Sequence, residues 1–227
     1  TMAQIAGDTA GKQSLAGASD KAFDRKMAAA AAHNRKVAKP GKPRAKAALP
    51  AFRPLQLATL VDSVPAGNDW FHEIKYDGYR AEIAAAGQEV RVFTRAGLDW
   101  TDKFAPLVRA IAALDLPPCL IDGEIVAPGA DGNPDFSSLQ AVLKRGHGEQ
   151  GEKTDLQFFA FDLLEQDGQS LLRLGNLERK ERLAALLGHA TPPVMVADHV
   201  IGAGEALYRA MCAAGQEGVI SKRAQAA

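Results

Sequence analysis

The sequence predicts an α+β fold with mainly antiparallel sheets. Three observations predict it. Strand-like runs follow one another between Trp70 and Arg95 with no helix between them. Helical runs are interleaved only later, so strands and helices do not alternate regularly as in a parallel α/β sheet. The strongly apolar run Leu156–Leu164 has the length and composition of a central strand.

The elements follow in order. Trp70–Tyr76, Tyr79–Ala85 and Glu89–Arg95 read as short strands, the last two joined by a turn at Ala86-Gly87-Gln88. Thr101–Leu114 reads as a helix: Thr101 caps it, and Phe104, Leu107, Val108 and Ile111 share one face. Cys119–Ala127 is a strand and Phe136–Leu143 a short helix. Leu177–Leu187 is a helix stopped by Gly188. Val194–His199 is a strand, Gly204–Ala214 a helix stopped by Gly215, and Gly218–Lys222 a last strand.

Composition sets the bounds. The 227 residues carry 27 basic and 27 acidic side chains, a net charge of zero. That sum hides two unlike segments. Residues 1–50 hold 10 Lys/Arg against 3 Asp/Glu, and residues 51–227 hold 17 against 24. The first segment reads as a basic Ala/Lys-rich linker, with helix-start and helix-stop signals over Ser19–Lys39 and a Lys-Pro-Gly-Lys-Pro stretch at 39–43. The leading reading is a solvated linker, and the alternative is a tether that touches DNA, since a mobile basic segment would be drawn to phosphates in a salt-dependent way. Residues 51–227 read as one domain. Cys119 and Cys212 form no CxxC pair, which excludes a disulfide scaffold or a zinc ribbon and fits a reducing cytoplasm. No run reaches the ~18 apolar residues of a membrane helix, and the first residues, with no basic region followed by an apolar stretch, are not expected to be a signal peptide.

Gly146–Gly151 spells GxGxxG, but a dinucleotide turn follows a strand and opens a helix, and this one does the reverse. Gly151-Glu152-Lys153-Thr154 lacks the Gly-Lys-Thr run of a P-loop. The informative stretch is Glu73-Ile74-Lys75-Tyr76-Asp77-Gly78-Tyr79-Arg80, at a strand end entering a tight turn. Alternation puts Glu73 and Lys75 on one face. Four clusters follow: Thr94-Arg95; Asp122-Gly123-Glu124, two acids on one face of an otherwise apolar strand; Phe159-Ala160-Phe161-Asp162; and Glu217-Gly218-Val219-Ile220-Ser221-Lys222. Charges inside a core strand are costly unless they are paired or used.

In this order these segments resemble the motifs of the covalent nucleotidyltransferase superfamily, the first matching its KxDGxR motif. The resemblance runs from about Pro54 to Arg223 and is strongest to the ligase module of the bacterial, multidomain, end-joining ATP-dependent DNA ligase D type. It implies a covalent nucleotidyltransferase fold: two mainly antiparallel sheets flanked by helices. It implies ATP and Mg²⁺ (or Mn²⁺) as cofactors, and DNA with nicks or breaks as partner, together with other modules of an end-joining ligase in the cytoplasm near the nucleoid. It implies that Lys75 attacks the α-phosphate of ATP, expels pyrophosphate and holds AMP as a phosphoramidate. A free lysine, with a pKa of ~10.4, is protonated at neutral pH, so a nucleophilic lysine needs burial or neighbouring cations; Arg80, Lys222 and the metal are the expected source of positive field.

The remaining roles are carried over likewise. Glu73 would read the adenine amino group, Ile74 would line the nucleotide site, and Arg80 and Glu124 would hold the ribose. Phe161 would stack on the base, Arg95 would contact phosphate, Glu217 would place the metal and Lys222 would neutralise the α-phosphate. Asp77 is expected to shape the turn and support Lys75. Phe159, Trp70 and Trp100 are expected in packing roles, and His72 and His199 outside catalysis.

The 227 residues contain neither the Trp-x-Lys-x-Lys-like segment nor the OB-fold domain that these ligases carry, so the expectation is ATP binding and slow self-adenylation without efficient nick sealing. Two readings share the fold: an RNA ligase and a GTP-using capping-type enzyme. One comes from another class, a non-catalytic nucleotide-binding scaffold.

Overall fold

The computed structural model describes residues 48–129, 132–145, 156–188 and 190–227. The basic stretch up to residue 47 and the glycine-rich loop at 146–155 lie outside the described residues. The strands are β1 (Trp70–Ile74), β2 (Tyr79–Gly87), β3 (Glu89–Thr94), β4 (Leu116–Val126), β5 (Gln157–Gln166), β6 (Gln169–Ser170), β7 (Val194–Val196), β8 (His199–Ile201) and β9 (Val219–Arg223). The helices are α1 (Ala105–Ala112), α2 (Phe136–Arg145), α3 (Asn176–Leu187) and α4 (Gly204–Ala213).

Two sheets result, as the sequence predicts for an α+β fold. A six-stranded sheet runs β3-β2-β4-β5-β6, with β7 parallel to β5 and every other pair antiparallel. A three-stranded antiparallel sheet runs β8-β1-β9. Alternation explains the large sheet's two faces. Ala81, Ile83, Ile121, Ile125, Phe158 and Leu163 enter one core with Phe104, Leu107 and Ile111 and with Leu139, Leu183 and Leu187 of α2 and α3. Ala84, Leu120 and Leu164 face the other way, where Leu49, Leu55 and Phe93 pack on them. That second face also carries Arg80, Glu82, Asp122 and Glu124, which share the parity of Ala84 and Leu120.

Two elements differ from the sequence reading. The helix expected over Thr101–Leu114 starts as a 3₁₀ turn, Thr101–Phe104, and becomes α-helical only at Ala105. Pro106 requires this: it lacks an N–H and fits an α-helix only in its first turn. Thr101 therefore does not cap the helix; its hydroxyl accepts the Val92 N–H at 3.1 Å. The strand expected over Val194–His199 is two strands in different sheets. β7 lies beside β5, Ala197 N–H donates to Ala160 O at 2.8 Å, and the chain then crosses so that His199 pairs with Glu73. An apolar run shows that a segment is extended, not which sheet it joins.

Candidate active site

Lys75 leaves the end of β1, and its backbone N–H donates to Gly218 O at 3.0 Å. That bond holds the loop after β1 against the start of β9 and brings Glu217 to the Lys75 ammonium, with which it ion-pairs. Gly78 completes the turn. A Cβ there would lie 2.3 Å from Ile125 O and 2.8 Å from a Val126 methyl, so only glycine lets the turn meet β4. Asp77 is exposed, and among the described residues it has no bond to Lys75; its carboxylate does not support the lysine as expected.

Arg80 and Glu124 are register partners on β2 and β4, as are Glu82 and Asp122. The Arg80 guanidinium bonds Asp122 through two nitrogens, at 3.1 and 2.7 Å. Glu124 is left without that partner. Burial pushes its carboxyl up to about 8, Asp122 and Glu217 add to the rise, and Arg80 and Lys75 oppose it. Glu82 is wholly buried and pushed up to about 7 by burial, although it accepts the Arg53 N–H at 3.0 Å.

Gly123 faces the core side of β4, where a Cβ would meet the Phe158 ring at 2.4 Å. Opposite it β5 is irregular: Asp122 pairs with Asp162 and Gly123 with Ala160, which makes Phe161 the extra residue of a bulge. The bulge lets consecutive residues Phe161 and Asp162 both leave the core side. Phe161 lines the cleft, and Asp162 is held by Arg179 of α3 at 2.8 and 2.9 Å. Phe158 takes the core position. Phe159 faces the same side as Glu124 and stacks on Tyr76, with ring centroids 4.1 Å apart, rather than packing in the core as expected.

The two sheets enclose a cleft of about 960 Å³. Glu73, Ile74, Lys75, Arg80, Arg95, Glu124, Phe161 and Lys222 all line it. So does Trp70, whose ring packs beneath the Arg223 guanidinium at 5.0 Å. Arg95 lies just past β3, exposed at the rim. Glu217 reaches the group through Lys75. The cations expected to surround Lys75 are themselves matched by carboxylates: Arg80 by Asp122, and Lys222 by Glu73 at 2.6 Å. His72 is buried, with its Nδ1 2.8 Å from the Ser221 hydroxyl, and His199 packs edge-on to Phe71.

A family profile described as "ATP dependent DNA ligase domain" matches residues 55–227. The chain belongs to the ATP-dependent DNA ligase domain family. This ligase domain is 36% identical, over 187 residues, to the multifunctional non-homologous end joining protein LigD of Pseudomonas aeruginosa, a match covering 82% of this chain and 22% of that protein. It is 33% identical to a DNA ligase of Halorubrum lacusprofundi, over 76% of this chain and 32% of that one. The chain thus spans a third or less of the length of these relatives. Among solved structures it resembles a mycobacterial DNA ligase D complexed with ATP and MES, and the ligase domain of Mycobacterium tuberculosis LigD. Each has a TM-score of 0.57 and 32% identity, over 69% of this chain and 49% of that chain.

The sequence reading of this ligase domain missed three supporting side chains. Asp122, one of two acids on an apolar strand, has no role in the sequence reading, and it is what holds Arg80. Arg179 and Lys180 sit in the charged run Glu178–Arg182 of α3, yet both are buried. A signal was present. Lys180 precedes Leu183 and Leu187 by three and seven residues and therefore shares the apolar stripe of α3.

Proposed function

We propose that this ligase domain transfers AMP from ATP to Lys75 and then to the 5′-phosphate of a nicked or broken DNA strand. The observation that carries the reading is the cleft that collects Lys75 with Glu73, Arg80, Glu124, Phe161 and Lys222 from both sheets. The ion pair with Glu217 opens, and the Lys75 ammonium gives a proton to water. The Nζ lone pair forms an N–P bond to the α-phosphorus, and the nitrogen gives a second proton to water to leave the phosphoramidate. The bond from that phosphorus to the bridging oxygen breaks, and pyrophosphate leaves with its electron pair. A DNA 5′-phosphate oxygen then attacks the same phosphorus, the nitrogen takes a proton from water as the N–P bond breaks with its electron pair, and a second proton restores the ammonium.

The other residues bind and orient. Phe161 offers a flat face to the base, and Glu73 an acceptor for its amino group. Arg80, held by Asp122, and Glu124, protonated near neutrality, face the ribose. Arg95 at the rim and Lys222 meet the phosphates.

Among the described residues no group of three or more metal-ligating side chains converges. Mg²⁺ commonly takes only one or two carboxylates and completes its shell with water and phosphate. Glu217, with Glu124 in its field, fits that demand. A bound Mg²⁺ or Mn²⁺ supplies charge neutralisation at the transferring phosphate. The 36% identity to a LigD supports strand joining in DNA repair, in the cytoplasm, alongside further modules of an end-joining protein.

The test is covalent labelling. The chain is incubated with labelled ATP, GTP or NAD and Mg²⁺, denatured, and examined for label. Label from ATP that is lost in Lys75→Ala supports the reading. Label from GTP alone points to a capping-type enzyme, and none from any nucleotide to a scaffold. A strand-joining assay on nicked DNA and RNA separates the two ligase classes.

A further inference from the structure

Glu73 is 3% exposed and carries two lysines, one on each carboxylate oxygen. Lys222 of β9 stands 2.6 Å from Oε2, and Lys180 of α3 ion-pairs with Oε1. One carboxylate needs one cation to balance it, so the second requires an explanation.

The two lysines are not equivalent. Lys180 is 3% exposed, and its helix packs along β5 and β7 with Leu183 and Leu187 in the core. Lys222 is 21% exposed and lines the cleft. Its Nζ stands 4.5 Å from the centroid of the Phe161 ring. The Lys222 ammonium therefore occupies both features that a purine base would use: the ring face and the buried acceptor. A base that stacks on Phe161 displaces Lys222 from Glu73, and the freed side chain is available to the phosphates. Lys180, anchored in the core, stays.

We infer that Lys180 is a specificity-determining positioning residue. It keeps Glu73 an ionised, acceptor-only carboxylate after Lys222 has left, so that the cleft takes a purine with a 6-amino group and rejects one with a 6-oxo group. The inference rests on the reading of the cleft as a nucleotide site.

The chemistry is one of hydrogen-bond polarity. An ionised carboxylate accepts and cannot donate; a protonated one presents an O–H. A 6-amino group donates to the first, whereas a 6-oxo group meets it lone pair to lone pair. Burial acts to raise the Glu73 pKa, and Lys222 and Lys180 together outweigh it, so the carboxyl is held below its ordinary value. With Lys222 displaced and Lys180 removed, a buried carboxylate without a counter-charge takes up a proton. It then donates to a 6-oxo group.

The other groups facing Glu73 do not replace the lost cation. His199, its register partner on β8, is kept below the ordinary imidazole value by burial, with Lys180 adding to the effect, and is neutral near pH 7. Tyr76, after β1, is uncharged there, its phenol raised by burial and by the nearby Asp198 and Glu73. Asp162 and Asp198 carry the wrong sign.

The test is equilibrium binding of ATP and inosine triphosphate to the full chain by titration calorimetry. The proteins are the wild type, Lys180→Met, Lys180→Gln and Lys180→Arg, each checked for folding by circular dichroism. The wild type binds ATP more tightly. In Lys180→Met and Lys180→Gln the preference falls by about tenfold or more, the factor that one hydrogen bond is worth. Lys180→Arg restores it. An unchanged preference in the neutral variants overturns the proposal, as does an equal fall in Lys180→Arg. Loss of both nucleotides, or of the fold, in both neutral variants also overturns it and marks Lys180 as structural. A wild type that binds ATP without preference sinks this inference alone; one that binds no nucleotide sinks the reading of the site as well.

Discussion

Arg80 stands opposite Glu124 across the β2–β4 ladder, but its guanidinium is bonded to Asp122, two residues along. The choice has consequences on both sides. Arg80 is turned and held at the cleft wall, and Glu124 keeps a carboxyl raised by burial, which the charge of Arg80, not bonded to it, opposes only in part.

Removing Asp122 therefore acts on stability and on nucleotide affinity together. Asp122→Ala leaves Arg80 without its partner. The expected loss is about 3 kcal/mol in urea denaturation, the low end for breaking a buried pair because Arg80 retains some contact with solvent. Asp122→Asn keeps the shape and one hydrogen bond, and loses less. In labelling with ATP both variants show a raised KM. An unchanged KM in a folded Asp122→Ala protein contradicts the role given to Arg80.

Glu82 makes stability depend on pH. Its carboxyl titrates at about 7 in the fold against an ordinary value of 4.5, because burial penalises the charged form. Between those values the folded state binds more protons than the unfolded state, so this group's contribution falls as pH rises through the window. Glu82→Gln removes the penalty while retaining an acceptor for the Arg53 N–H. Its stability relative to wild type is expected to rise from pH about 4.5 to about 7 and then level off. Melting temperatures measured in parallel across that range check the sign.

Gly123 tests the packing of β4 on β5. A methyl group there meets the Phe158 ring at 2.4 Å and Phe159 O at 2.6 Å, the second being backbone that cannot swing aside. Gly123→Ala is expected to cost about 2–3 kcal/mol, at the upper end for overpacking, and to lower ATP labelling by disturbing the neighbouring bulge. A denaturation midpoint equal to wild type contradicts this.

Phe161 and Phe159 separate stacking from packing. Phe161→Leu keeps bulk but loses the flat face toward the cleft, and the KM for ATP is expected to rise by about tenfold, within the range for loss of one base–aromatic stack. Phe159→Leu removes the contact with Tyr76 and is expected to lower thermal stability with little change in KM. Equal KM effects from the two variants would show that Phe161 does not stack on the base.

Much of the site was legible in the sequence. The Lys-x-Asp-Gly at a strand end and the closing Glu-to-Lys strand were legible through the resemblance they carry, and the shared faces of Glu73 with Lys75 and of Asp122 with Glu124 through local alternation. Phe159 and Phe161 mark where that reasoning stops. Counting by twos puts them together, and they do share a side, but the bulge at Phe161 separates their roles and brings Asp162 out beside them. The single apolar run at 194–199 stops it again, because β7 and β8 obey the same local rule in different sheets.

By itself, then, the sequence determined the α+β class and the order of the chemical segments, which follow from residue type and short-range period, while the residues that line the cleft were named by the resemblance those segments carry. The tertiary structure alone decided the partnerships: Lys180 on Glu73, 107 residues away; Arg80 on Asp122 rather than Glu124; Glu217 on Lys75. Local preference sets which face a side chain occupies. Which charge it meets there depends on how two sheets and a helix close over one another, and burial then makes each of those meetings count.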